Sequence, residues 1–323
     1  MFSRREFLGT SLGAGAALAL APELLRAQQQ SGGQLIQRAI ASTGEMLPIV
    51  SFNPQQESDN TGMKQILKTL LDNGGSVVGI SHGGGEPMAR SAADELGIQN
   101  KFFWATTLAG PHPRPPDDPR PPKADAAAVR AQIETTLANL KVPKIDLVMV
   151  GAYAANDPTY LGVLRKMKKE GRVRYIGVQH LALPPNSTWP AFGDLEPIMR
   201  NEPIDFVATD YHVGDRRVQQ EILPLAQERK IGFMAHFAFN RGRLFKRASG
   251  TPLPDWTAEF DAKTWAQFFL KYVISHPAVV TARTGTTNAA HMLDNIGGGI
   301  GRLPNEAMRK RMAELVDSLP PRR

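Results

Sequence analysis

The chain has no cysteine among its 323 residues. That absence excludes disulfides, thiolate metal centres and thiol catalysis, and it is compatible with an oxidising compartment. No block of Lys and Arg interleaved with aromatics occurs, and the formal charge of +7 is mild, so the charge pattern gives no sign of nucleic-acid binding. The stretch MRKRMAE near the end reads as the solvated face of a terminal helix. Beyond the first residues there is no HExxH, which removes the short zinc motif. GxSxG occurs at Gly9, Ser11 and Gly13, inside an apolar segment that is too short to span a bilayer.

That segment belongs to MFSRREFLGTSLGAGAALALAPELLRA, in which Arg4 and Arg5 precede Phe7 and Leu8, a Gly/Ala/Leu run and a cleavage position after Ala27. The combination is a twin-arginine export signal, so the export machinery is an expected partner and the mature protein is expected in the periplasm or outside the cell. Residues 28–323 then form one domain with no transmembrane anchor. Removal of three arginines and two glutamates with the signal leaves a charge of +6.

After a polar leader, the segment QLIQRAIASTGEMLPIVSFN alternates on both sides of Ser42-Thr43-Gly44-Glu45, which predicts a hairpin followed by a first core strand at Leu47–Phe52. Helical and strand patterns then alternate to the end, from TGMKQILKTLLDNGG and SVVGIS to TWAQFFLKYVIS and AVVTARTG. Eight such units at this length predict an α/β fold, a single (β/α)8 TIM barrel preceded by the hairpin. The proline-rich run after the third core strand, residues 109–123, can be neither helix nor inner strand and reads as a loop over the mouth, either a substrate-facing lid or a surface crossing.

Ligands meet such barrels at the carboxyl ends of the strands. There VVGISHGGGE, residues 77–86, reads as strand, glycine turn and helix start, and it puts His82 at a strand end as a candidate acid that titrates near neutral pH.

Three stretches, GRVRYIGV, LPLAQERKIGFMAHFAFNRGRLF and TGTTNAAHMLDNIGG, resemble the aldo-keto reductases, and the likeness extends over nearly the whole mature chain. The resemblance implies an oxidoreductase that moves a hydride between NADP(H) and a small carbonyl or hydroxyl substrate. It implies that Thr286, Thr287 and Asn288 face the adenosine phosphate, that Asp294 and Asn295 face the adenine, and that Arg241 and Gly242 lie beside the pyrophosphate. The basic residue usual near the ribose phosphate falls on His291. Around the nicotinamide, Gln179 and His180 stand for a Ser-Asn pair, Ala208 for a glutamine and His236 for a stacking aromatic.

The family's catalytic tetrad is not matched. By the same resemblance the tyrosine position carries His82, the lysine position Thr107, the histidine position Gly151, and the aspartate position Val77, or Gly79 if the turn is shifted. Two other classes therefore stay open. His82, His180 and His236 with Asp210 could hold a divalent metal for lyase, isomerase or hydrolytic chemistry, and a barrel without acid and base could simply bind a ligand. Replacing Arg4 and Arg5 with lysine is expected to leave the precursor in the cytoplasm, read by fractionation; normal export of that variant would refute the signal.

Overall fold

The computed structural model describes residues 33–55, 59–81, 86–111, 123–181 and 191–320. The export signal, His82 with its glycine turn, and most of the proline-rich run lie outside the described residues. A short antiparallel hairpin comes first, β1 (Gln37–Ala39) against β2 (Met46–Pro48), turned through Gly44 at φ 77°, a conformation that suits a residue without a Cβ. The chain then builds a closed parallel barrel. Its strands are β3 (Val50–Pro54), β4 (Val77–Ser81), β5 (Phe103–Thr107), β6 (Ile145–Gly151), β7 (Val173–Gln179), β8 (Phe206–Asp210), β9 (Gly232–His236) and β10 (Val279–Thr286), and β10 pairs with β3 to close it. The sequence placed the first core strand at Leu47–Phe52. Instead, Met46–Pro48 pairs with the hairpin and the barrel strand begins at Val50, because Pro48 ends the first pairing and the chain turns into the second at Ile49.

Helices cover the sheet from outside: α1 (Asn60–Asp72), α2 (Glu86–Leu96), α3 (Ala126–Leu140), the short α4 (Ala152–Ala155), α5 (Pro158–Lys169), α6 (Leu195–Asn201), α7 (Ile222–Glu228), α8 (Arg243–Ala248), α9 (Trp265–Ile274), α10 (Ala289–Gly298) and α11 (Glu306–Ser318). Their starts are written in the sequence. Asp59, Asp125, Asp157, Thr264, Asn288 and Asn305 each accept a hydrogen bond from a backbone N–H of the following turn, which satisfies donors that helix geometry leaves free. Between helices and strands lies a large apolar layer that includes Val78, Trp104, Val148, Val178, Val207 and Phe233. None of the helices among the described residues is long and apolar enough to cross a membrane.

Alternation along each strand sends every second side chain into the barrel. Val77, Phe103, Leu147, Met149, Tyr175, Phe206 and Met234 fill its lower interior, with Ile40 and Leu47 of the hairpin plugging the base. Each fully buried side chain of this kind contributes about 1.5–3 kcal/mol. The plug is clamped by polar contacts. Arg174 donates to Glu45 of the hairpin and, at 2.7 Å, to Asp146, while Tyr175 donates its hydroxyl hydrogen to Glu45. Asp146 is buried and also accepts from the Trp104 backbone N–H at 2.8 Å. Arg174→Met removes the guanidinium and leaves that carboxylate without its charged partner, so a loss of about 2 kcal/mol is expected, seen as a lower urea midpoint at unchanged slope. An unchanged midpoint would show that the clamp contributes nothing.

Candidate active site at the barrel mouth

The inward rows continue upward past the plug and end in polar residues. Asn53 on β3, Thr107 on β5, Gln179 on β7, His236 on β9, and Arg283 and Gly285 on β10 line a cavity of about 520 Å3. Gln55 and Leu181 add to its wall, and Phe237, Ala238, Phe239, Arg241, Gly242 and Phe245 close the β9 side. This is the carboxyl end of the strands, where the loops rather than the sheet set the shape.

Arg283 dominates the floor. Its guanidinium donates to Asn53 Oδ1 through Nη2 and lies 3.0 Å from His236 Nε2 through Nη1, so both partners are neutral acceptors. Its Nε is buried and has no partner among the described residues. Burial pulls its pKa down to about 10, which still leaves it a cation at neutral pH. Burial, with help from the charges of Arg283 and Arg241, holds His236 well below the usual imidazole range. A neutral His236 that accepts at Nε2 carries its hydrogen on Nδ1.

Small residues make room for this arrangement. A Cβ built on Gly79 would fall 2.7 Å from the guanidinium carbon of Arg283, so the side chain fills the space that any residue but glycine would claim on β4. Val77, the other candidate for the aspartate position, is one layer lower and packed in the plug. At Gly151 no atom of the described residues lies within 4 Å of where a Cβ would be. Thr107, at the lysine position, donates its hydroxyl hydrogen to Gln179 Oε1 at 3.1 Å. That bond fixes the amide and turns its Nε2 donors elsewhere.

The rim after β9 is strained. Phe237, Asn240 and Arg241 have φ of 52°, 48° and 52°, a region that non-glycine residues enter at a cost of order 1 kcal/mol each, and Gly242 follows at 83°. The fold holds Arg241 there by a 2.8 Å ion pair to Asp210 and by stacking its guanidinium 3.6 Å over the Phe237 ring.

Of the residues singled out from the sequence, Thr107, Gln179, His236, Arg241 and Gly242 meet in the cavity, His82 lies outside the described residues, and the other described ones do not line it. His180 is half-buried beside Gly193, with Nε2 lacking a partner among the described residues. Thr286 and Asn288 build the turn into α10, Thr286 accepting from the Asn288 N–H at 3.0 Å and Asn288 capping through the Ala290 N–H at 2.7 Å, while Thr287 is exposed. Asp294 is committed to α9 through Thr264 and Gln267, and Asn295 is buried.

The metal reading finds no support among the described residues, and His82, one of its four ligands, lies outside them. Among the described residues no three His, Asp or Glu side chains come together as a ligand set. Asp210 is engaged by the Arg241 guanidinium and His236 Nε2 by that of Arg283, and a divalent cation between two guanidiniums would be repelled. Arg283 was not singled out from the sequence. Its signal was the charge itself, in the TARTG strand, at an inward position facing Gly79.

A barrel of eight parallel strands with a polar cavity at its carboxyl end defines the class of protein. Within that class, the chain matches the model of the Aldo/keto reductase family over residues 53–313 and belongs to that family. It is 25% identical over 220 residues to a protein of Glycine max described as probable aldo-keto reductase 1, a match that spans 59% of this chain and 60% of that protein. Its fold is similar to a holo-form aldo-keto reductase of Bacillus halodurans, with a TM-score of 0.67 at 17% identity over 88% of this chain and 96% of that one. It is likewise similar to a Klebsiella pneumoniae aldo-keto reductase solved in complex with NADPH, with a TM-score of 0.67 at 16% identity over 89% and 97% of the two chains.

The buried imidazoles set a pH dependence. Burial lowers His212 and His276 to about 4, and lowers His180 and His236 as well. The unfolded chain takes up these protons near pH 6.5 and the folded chain only at lower pH, so the unfolded state binds more protons in between. Stability is expected to be full above about pH 7 and to fall as pH drops from about 6.5 toward 4. Thermal midpoints at pH 7.5 and 5 test this, and His212→Asn should make the fall shallower. A midpoint that rises on acidification would contradict it.

Proposed function

We propose that the protein is an exported oxidoreductase that uses NADP(H) at the barrel mouth on a small carbonyl or hydroxyl substrate, with chemistry altered from that usual in its family. Family membership and the NADPH-bound state of a similar fold support the cofactor. The observation that carries the reading is the cavity, where an amide, an imidazole and the Arg283 guanidinium converge under a strained rim that holds the ion-paired Arg241.

The residues present suit the cofactor's chemistry at the mouth. Gln179, with its Oε1 held by Thr107, has Nε2 donors left for an amide carbonyl. Arg241, ion-paired with Asp210, presents its guanidinium at the rim to a pyrophosphate, and Thr287 and His291 are exposed by the turn into α10. Bound NADPH would supply the hydride to a carbonyl carbon. Arg283 stabilises negative charge on the carbonyl oxygen, because a fixed cation out of bulk water acts where that charge develops. His236 orients the guanidinium and, being neutral, does not serve as the acid. The proton for the oxygen is assigned to His82, which directly follows the last residue of β4.

With glycine and threonine where the family holds its aspartate, lysine and histidine, general acid help is reduced, and simple aldehydes are expected to turn over about 10²–10⁴-fold more slowly than in a reductase with the tetrad. Quenching of tryptophan fluorescence by NADPH, followed by NADPH oxidation with aldehydes, tests both halves. Absence of binding at millimolar NADPH would sink the redox reading, and binding without turnover of any carbonyl would leave a ligand-binding barrel.

A further inference from the structure

We infer that Arg283 is a carboxylate receptor, and that the barrel takes a small organic acid whose carboxylate docks on this guanidinium at the cavity floor. As a statement of substrate class, this rests on the proposed function, but the binding site stands on geometry alone. A guanidinium deep in a fold is normally met by a carboxylate, because an uncompensated charge away from bulk water is unfavourable. Here the partners are an amide oxygen and a neutral imidazole, and no acidic side chain of the described residues pairs with it. The other cation of the cavity differs. Arg241 is neutralised by Asp210, so among the described residues the cavity keeps one unbalanced positive charge, at its floor.

The planar fork of a guanidinium matches a carboxylate through paired N–H donors, and the fork of Arg283 has five N–H groups against two contacts. Nε is buried with no partner among the described residues. The donors are held in place: Asn53 and His236 fix the group from β3 and β9, and Gly79 leaves no side chain to displace it. The walls suit the rest of a small acid. Thr107 and Gln179 offer polar groups opposite, and Phe237, Phe239 and Phe245 form an apolar wall on the β9 side. A phosphate from the cofactor is the other anion that could seek this charge. Depth argues for the acid, because Arg283 lies on the strand floor and Arg241 on the rim.

Calorimetry of the mature protein without cofactor, using lactate and pyruvate against lactamide and pyruvamide, gives the first test. The acids are expected to bind at least about tenfold more tightly than the amides, as a charge-assisted pair requires. Arg283→Met should remove that preference while leaving NADPH affinity within about twofold, and Arg283→Lys should restore only part of it. Equal binding of acid and amide, or an acid preference that survives in Arg283→Met, would overturn the proposal. Loss of NADPH or inorganic pyrophosphate binding in Arg283→Met, with acid binding intact, would assign the guanidinium to the cofactor instead and overturn it too. Should Arg283→Met fail to fold by circular dichroism, Asn53→Asp, isosteric with the residue it replaces, supplies an internal carboxylate against the guanidinium. That variant is expected to fold and to lose acid binding, and retained binding would count against the receptor. Because these titrations contain no nucleotide, failure of NADPH to bind the wild-type protein would defeat the redox reading and leave this result standing.

Discussion

The site depends on the closure of the sheet. When β10 pairs with β3 in the register Arg283 beside Ser51 and Gly285 beside Asn53, the barrel gains its last wall and an arginine is carried into its interior. A guanidinium cannot be hidden there without acceptors, and the neighbouring strands provide them as Asn53 on one side and His236 on the other. The strand beyond β3 yields space, since β4 offers glycine at the level where the guanidinium arrives. Closure, charge and the small residue therefore form one constraint. None of the three is stable alone: without Gly79 the arginine has no room, and without Asn53 and His236 its N–H groups have no partners.

Much of the fold was legible because strands and helices impose different periods on apolar residues, and eight repeats of the pair leave few alternatives. The capping residues Asp59, Asp125, Asp157 and Asn288 mark their helix starts openly. The boundary at Ile49 was not legible. LPIVSF is one continuous apolar run, and only its pairing partners, Gln37–Ala39 of the hairpin for its first part and the distant β10 for its second, divide it.

The site was legible where it follows the family's pattern and obscure where it departs from it. Gln179, His236, Arg241 and Gly242 were named from the sequence and meet in the cavity. Thr286, Asn288 and Asp294 were named too, but their contacts are local: a turn, a helix cap and a bond across to α9. Arg283 could not be found by matching a pattern, because in a strand its charge reads as one polar residue among alternating ones. It becomes visible only when the fold places Gly79 against it.

Four strands meet at this charge: glycine on β4, asparagine on β3, neutral histidine on β9 and arginine on β10. In the family's arrangement, as the resemblance implies it, a lysine is balanced by an aspartate and the cation serves to tune an acid. Here no carboxylate of the described residues balances Arg283, so its charge is directed toward whatever enters the cavity. A floor that carries a cation without an internal carboxylate attracts anions, and function follows that local electrostatics more than the barrel that holds it.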